Sequence, residues 1–290
     1  MKVKIIQILL DKYICVNENN EIITCIKNGN MKKKKIYVGD NAKVIISSNT
    51  YIIIEILDRM NFMIRPPVAN IDIMVLCISA KNPEPDYILL DKQIVLCLSK
   101  NIKPIICITK TDLDENDNVF NYINNVYGKF YDIVNVNALL NKGIDKIRSL
   151  LHDKTSAFSG NSGVGKSSIV NLLNQNDKLE IGEIGAKSNK GKHTTKEVRL
   201  FNIENNTFIL DTPGFSSYEL FDIEYKKLSK YFKQFNDSSC KYLDCSHTNE
   251  KNDVCDIKSK VSNKIIDESL YERYIYIYNE LYKKDKIKYK

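Results

Sequence analysis

The sequence predicts a chain of three parts in series: an N-terminal OB-type β-barrel, a central α/β domain, and a C-terminal helical domain built on a Cys/His cluster. Three observations predict this. Five short β-rich runs, separated by turn residues, fill roughly the first sixty residues. Strand-like and helix-like runs then alternate. Towards the C-terminus the chain turns helical and tyrosine-rich and gathers three cysteines and a histidine. The boundaries are set at 1–65, 66–219 and 220–290.

In the first part the runs are Val3–Leu10, Lys12–Val16, Ile22–Ile26, Lys43–Ser47 and Tyr51–Leu57, with turns at Asn17–Asn20 and Asn28-Gly29-Asn30. A barrel of this kind is a common platform for RNA. Lys32–Lys35, between two strands, is either a solvated loop or a source of phosphate contacts. Arg65-Pro66-Pro67 breaks the pattern as a linker.

Ile71–Ser79 opens the α/β alternation. Helices are predicted over about Pro85–Ser99, Asn116–Tyr127 and Gly143–Leu151, with strands at Ile105–Ile108, Tyr131–Val136 and Ser156–Phe158. After the last strand, Gly160-Asn161-Ser162-Gly163-Val164-Gly165-Lys166-Ser167 fits G-x-x-x-x-G-K-[ST], and a helical pattern of Ile169, Leu172 and Leu173 follows. Glycines let the backbone curl so that successive N–H groups face phosphate oxygens, and the helix start adds positive potential. Lys166 then reaches the β- and γ-phosphates, and the Ser167 hydroxyl binds Mg²⁺.

Base choice is written upstream, in Thr109-Lys110-Thr111-Asp112. An aspartate in this pattern accepts two hydrogen bonds from the guanine ring N–H and exocyclic amine, a donor pair that adenine lacks. Downstream, Asp211-Thr212-Pro213-Gly214 follows the strand Thr207–Leu210, with Asp211 holding Mg²⁺, usually through water, and the Gly214 N–H sensing the γ-phosphate. Between them, Lys190-Gly191-Lys192-His193-Thr194-Thr195 is polar enough for a first switch whose threonine, Thr194 or Thr195, closes on Mg²⁺. The order is guanine motif, phosphate loop, first switch, second switch. Most GTPases place the guanine motif last, so the central domain reads as a circularly permuted GTPase.

The cluster Cys240, Cys245, His247 and Cys255 has the spacing C-x₄-C-x-H-x₇-C. Three thiolates and an imidazole suit one tetrahedral Zn²⁺ with no open position, a structural site; the alternative is three free cysteines in a turn-rich segment. Cys15, Cys25, Cys77, Cys97 and Cys107 lie singly in apolar runs, as buried thiols. Leu270, Tyr274, Ile277, Tyr278 and Leu281 share one helical face, a packing stripe.

The 290 residues carry a net charge of +7, which either reflects an anionic partner such as RNA or follows from a Lys-, Asn- and Ile-rich composition set by base bias. No apolar run reaches the length of a membrane span, and Ile5–Leu10 ends at Asp11, too early for a signal peptide. A cytoplasmic protein with no membrane partner is expected.

Taken together, these motifs resemble the ribosome small subunit-dependent GTPase A family, RsgA, nearly end to end. The resemblance covers the barrel-like N-terminus, Arg65-Pro66-Pro67 with Asn70 and Asp72, the permuted order, Gly160 to Ser168, Gly191-Lys192-His193-Thr194-Thr195 and the cysteine cluster. It implies a GTPase of late small-subunit assembly that acts as a monomer, with Zn²⁺ and Mg²⁺, and whose barrel and zinc domain contact the rRNA of the small (30S) ribosomal subunit. Two departures stand out. Asn137 occupies the serine position of the Ser-Ala pair that packs guanine in many GTPases, and seven residues separate His247 from Cys255 where the family usually has five.

The water-orienting glutamine of Ras-like proteins is replaced by Phe215, so unaided hydrolysis should be slow. His193 is the nearest catalytic candidate, and the resemblance points to the same residue; otherwise it is a loop histidine facing solvent or RNA. Two rival functions are a GTP-dependent RNA-binding switch with little catalytic role, and a phosphate-loop ATPase or kinase in which the guanine motif is accidental.

Overall fold

Pairing of the first strand with the fourth closes the first five strands into a barrel. The computed structural model describes residues 1–31, 34–174, 198–211, 220 and 222–288. Strands β1 (Lys2–Leu9), β2 (Lys12–Asn17), β3 (Ile22–Lys27), β4 (Asn41–Ser47) and β5 (Thr50–Ile56) pair in the order β1-β2-β3-β5-β4, and β4 returns to β1. Only β3 and β5 run parallel, as the OB arrangement requires. Val3, Ile5, Cys15, Ile23, Cys25, Ala42, Val44, Ile53 and Ile56 fill the interior.

Arg65-Pro66-Pro67 is not the linker expected from its prolines. It is the turn of a hairpin, β6 (Phe62–Ile64) with β7 (Pro67–Ala69), in which Ile64 pairs with Pro67 and the Arg65–Pro66 bond is cis. Two asparagines close the hairpin. Asn61 accepts from the Ile71 N–H (3.0 Å) and donates to its carbonyl (2.7 Å), while Asn70 accepts from the Met60 N–H (2.8 Å) and donates to Gly39 of the barrel (2.9 Å). Beside them the buried Asp40 carboxylate takes the Arg59 guanidinium at 2.6 Å and 2.9 Å.

The chain forms two compact units: Met1–Val75 with Ala138–Ser159 and Gly165–Phe215, and Leu76–Asn137 with Gly160–Val164 and Ser216–Lys290. In the first, the barrel sheet continues from β1 through β12 (Arg199–Glu204) and β13 (Thr207–Asp211) to β11 (Thr155–Ser159), which is parallel to β13. β12 was not foreseen: it follows a long polar run, and its hairpin turn is an Asn205-Asn206 pair with Asn206 left-handed (φ 53°). Asp72 exchanges backbone and side-chain bonds with Thr155 (both 2.8 Å), and Lys4 of β1 donates to the Thr155 hydroxyl at 2.7 Å. Burial lowers the Lys4 pKa. The first unit also holds α3 (Ile144–Leu151) and α4 (Lys166–Asn174).

In the second unit the sheet order is β10 (Asp132–Val136), β9 (Lys103–Thr109), β8 (Ile73–Ser79), the last running in from the first unit. All seven β8 residues are buried, the near-continuous apolar pattern of a sheet covered on both faces. α1 (Tyr87–Ser99) starts two residues later than predicted because Asp86 caps it, accepting from the Leu89 N–H at 2.9 Å. α2 (Asn118–Tyr127) also starts late, since Asn116 and Asp117 are left-handed and the Asp114 carboxylate takes the Val119 and Phe120 N–H groups. The C-terminal part carries α5 (Asp256–Ser262) and α6 (Glu268–Lys288), whose predicted stripe is buried at Leu270, Tyr274, Ile277 and Leu281. Among the described residues, no helix is long and apolar enough to cross a membrane.

Candidate functional site

The phosphate loop begins where β11 ends. Gly160 has φ +140°, and a Cβ there would stand 2.2 Å from the Cys77 carbonyl oxygen of β8, so only glycine lets the loop pass this close to the strand. Val164, 3% exposed, anchors the loop beneath, while Ser162 and Gly163 are exposed above it. Lys166 opens α4, with Ser167 and Ser168 exposed in its first turn and Ile169 and Leu173 buried below. A glycine-rich turn leading into a helix whose apolar face is buried is the local form of a phosphate-binding loop.

The guanine motif lies at the carboxyl end of β9. Thr109 is buried, and its hydroxyl donates to the Val164 carbonyl of the phosphate loop at 2.6 Å. Lys110 is left-handed (φ 54°) and donates to the Asn82 carbonyl; Thr111–Leu113 then form one 3₁₀ turn. This turn leaves Asp112 exposed, and its carboxylate accepts from no described residue. Asn137 is buried one residue past β10, where Val136 is in register with Thr109. Asn161 of the loop donates to the second carboxylate oxygen of Asp86 at 3.2 Å.

Lys190, Gly191, Lys192, His193, Thr194, Thr195, Gly214 and Phe215 lie outside the described residues, as do Lys32 and Lys33. Asp211 is the last residue of β13.

The second cluster is assembled as its spacing predicted. The donor atoms of Cys240, Cys245, His247 and Cys255 lie within 4.8 Å of one another, with His247 Nδ1 3.6 Å from Cys240 Sγ and 3.5 Å from Cys255 Sγ. Ligands at ~2.0–2.3 Å from a tetrahedral cation stand roughly 3.3–3.8 Å apart, so the cluster can hold a metal with little movement. Within the segment between His247 and Cys255, the Glu250 carboxylate accepts from the Ser246 N–H (2.7 Å), the Ser246 hydroxyl (2.9 Å) and the Thr248 N–H (2.8 Å). Tyr271 and Tyr274 of α6 donate to the His247 and Ser246 carbonyls at 2.7 Å and 2.6 Å. Burial pushes the Cys245 thiol up to about 12 and lowers the His247 pKa, so the ring is poised as a neutral ligand.

One polar constellation was missed in the sequence. Asp91 of α1 is 2% exposed and meets Arg273 Nε at 2.5 Å. Tyr127 donates to the other Asp91 oxygen at 2.6 Å, and Arg273 reaches the Tyr122 and Tyr127 hydroxyls at 2.9 Å and 3.0 Å. Burial pushes the Asp91 carboxyl up while the guanidinium opposes it. Each residue alone is an ordinary charge or tyrosine on a helix, and only the i, i+4 buried stripe of α6 hinted at a covered face.

The family model described as RsgA GTPase matches residues 56–221, more than half of the chain. The chain belongs to the RsgA GTPase family. Among relatives, the small ribosomal subunit biogenesis GTPase RsgA of Caldanaerobacter subterraneus subsp. tengcongensis is 38% identical over 275 residues, 93% of this chain and 92% of that protein. The protein of the same name from Thermotoga neapolitana is 36% identical over 269 residues, 91% of this chain and 90% of its own. Two solved structures resemble the fold: YjeQ from Thermotoga maritima, at TM-score 0.85 and 31% identity, covering 97% of this chain and 98% of that one; and YloQ, a circularly permuted GTPase, at TM-score 0.81 and 31% identity, covering 98% and 95%. The barrel, the permuted GTPase core and the C-terminal Cys/His cluster are thus the architecture of this RsgA member, and its enzymatic class is GTP hydrolase.

Proposed function

We propose that this chain hydrolyses GTP in the cytoplasm as a monomer, bound to the small ribosomal subunit and its rRNA during late assembly. The observation that carries the nucleotide half is the buried hydrogen bond from Thr109 to Val164, which fixes the start of the guanine motif against the phosphate loop. The ribosomal half rests on relatives named for small ribosomal subunit biogenesis that align with more than nine-tenths of the chain.

In this reading Gly160 to Ser168 wrap the phosphates, Lys166 neutralises the β- and γ-oxygens and Asp112 selects guanine, with Lys110 and Thr111 shaping its turn. Thr109 belongs to the site by holding the loop. Ser167, Asp211 and one of Thr194 and Thr195 hold Mg²⁺, which supplies charge neutralisation at the phosphates; Gly214 reports the γ-phosphate. Cys240, Cys245, His247 and Cys255 hold one structural Zn²⁺. Residues 1–65 and 220–290 serve as the RNA-facing domains on either side of the GTPase domain, 66–219.

His193 orients the attacking water, because Phe215 cannot. Turnover should therefore be slow alone and much faster with small subunits, and His193→Ala should reduce the stimulated rate by roughly 10²-fold or more while nucleotide-dependent subunit binding persists. Normal stimulated turnover in that variant returns His193 to a solvent-facing role. No acceleration by subunits favours a switch that uses hydrolysis only to reset. Thermal protection by ADP but not GDP defeats the guanine assignment altogether.

The loop geometry gives a second expected result. Gly160→Ala must displace either the loop or the Cys77 carbonyl, so affinity for a fluorescent GDP should fall about tenfold or more. Unaltered affinity would show that the loop does not need this close passage.

A further inference from the structure

Granting that the phosphate loop holds a guanine nucleotide and the Cys/His knuckle a metal, we propose that α1 and α6 couple the two, with Asp86 and Arg273 as positioning residues for the phosphate loop and the guanine turn. The path is continuous and lies within one compact unit. Asp86 divides its carboxylate: Oδ1 accepts from the Leu89 N–H to start α1, and Oδ2 accepts from Asn161 of the phosphate loop. Further along the same helix, Asp91 meets Arg273 at 2.5 Å and Lys92 meets Glu280 at 2.7 Å, both on α6. The α6 residues flanking Arg273 hold the knuckle, since Tyr271 donates to the His247 carbonyl and Tyr274 to that of Ser246.

The guanine turn feeds into the same guanidinium. Asp114, two residues beyond Asp112, accepts from the first N–H groups of α2, and α2 presents Tyr122 and Tyr127 to Arg273. A planar fork of N–H donors can hold Asp91, Tyr122, Tyr127 and Ser269 at once, which a lysine ammonium cannot. Because the Asp91 carboxylate is buried, displacing α1 against α6 strands a charge away from water, so the two helices move as a pair. A ligand that fixes the phosphate loop and the guanine turn therefore also restrains the knuckle, and the relation is reciprocal.

The test is amide hydrogen exchange over 240–255 in the full-length, zinc-loaded chain, with and without saturating GDP. GDP should slow exchange there roughly fivefold or more. Asp86→Ser keeps a capping hydroxyl but cannot reach Asn161, and Arg273→Lys keeps the charge but loses the fork. In Arg273→Lys, where both routes converge, the slowing should drop below about twofold, and in Asp86→Ser, which leaves the guanine-turn route, it should fall by about half, while a fluorescent-GDP titration still saturates. Should Arg273→Lys fail to fold, Asp86→Ser decides alone, because its contact with Asn161 is exposed. Identical exchange with and without GDP in the loaded parent chain, or full slowing retained in Asp86→Ser, overturns the coupling. If the parent chain binds no GDP in the titration, the nucleotide reading fails and this path with it, an outcome the titration separates from the others.

Discussion

Replacing Asp112 by Asn is expected to shift base preference from guanine to xanthine by up to about 10⁴-fold. The carboxylate offers two acceptors to the guanine ring N–H and amine; the amide offers one acceptor and one donor, which match the xanthine ring N–H and C2 carbonyl. The large factor comes from the penalty side: a buried amine facing an amide N–H is left unpaired. The structure supports the test because Asp112 is exposed at the end of β9 and holds no described neighbour, so the substitution leaves the fold's hydrogen bonds in place. Competition between guanosine and xanthosine diphosphates on the purified variant reads the ratio, and unchanged GTP affinity would remove Asp112 from the site.

The parts of this molecule legible in the sequence are those where chemistry restricts residue type at fixed spacing. Gly160 passes the Cys77 carbonyl too closely for a Cβ, and the donor atoms of Cys240, Cys245, His247 and Cys255 gather within 4.8 Å, so the glycine-rich loop and the Cys/His cluster could each be read as a unit. The barrel strands were legible for a different reason: runs rich in Val, Ile, Tyr and Thr stand between turns of Asn and Gly, although outward positions such as Ile22 and Ile26 are as apolar as the inward Ile23 and Cys25. What the sequence hid was long-range pairing. Asn70 and Asp72 stood out only through family resemblance, and their work, closing the hairpin against Gly39 and fixing the first residue of β11, involves partners far along the chain. Asp91 and Arg273 are 182 positions apart, and neither position shows a pattern that would call for the other. The prolines at Pro66 and Pro67 misled in the opposite way: proline ends regular structure locally, yet a two-residue turn between short strands satisfies the same rule.

Removing one knuckle ligand should have the other large effect. Structural Zn²⁺ sites of this composition contribute about 10–16 kcal/mol of apparent binding free energy at neutral pH, a quantity that is also folding free energy for the segment that closes around the ion. Here that segment is otherwise held by scattered bonds, from the Tyr271 and Tyr274 hydroxyls to the His247 and Ser246 carbonyls and from the Lys241 N–H to Val254. Between Cys240 and Cys255 no helix or strand forms, Leu243 and Tyr242 are exposed, and the internal order comes from Glu250 gathering Ser246 and Thr248. Cys245→Ser keeps the shape of the side chain but replaces a soft thiolate with a neutral hydroxyl that Zn²⁺ binds poorly. Metal analysis of chain prepared without chelator should give about one Zn²⁺ per parent molecule and almost none per variant, with much faster amide exchange across 240–255. α6 should persist, because its stripe of Leu270, Ile277 and Leu281 is buried independently of the ion, and GDP should still bind, weakened by no more than the roughly fivefold coupling that α1 and α6 carry. A parent chain without zinc would return the four residues to free thiols and a buried imidazole; a variant that keeps its zinc would show that three ligands suffice.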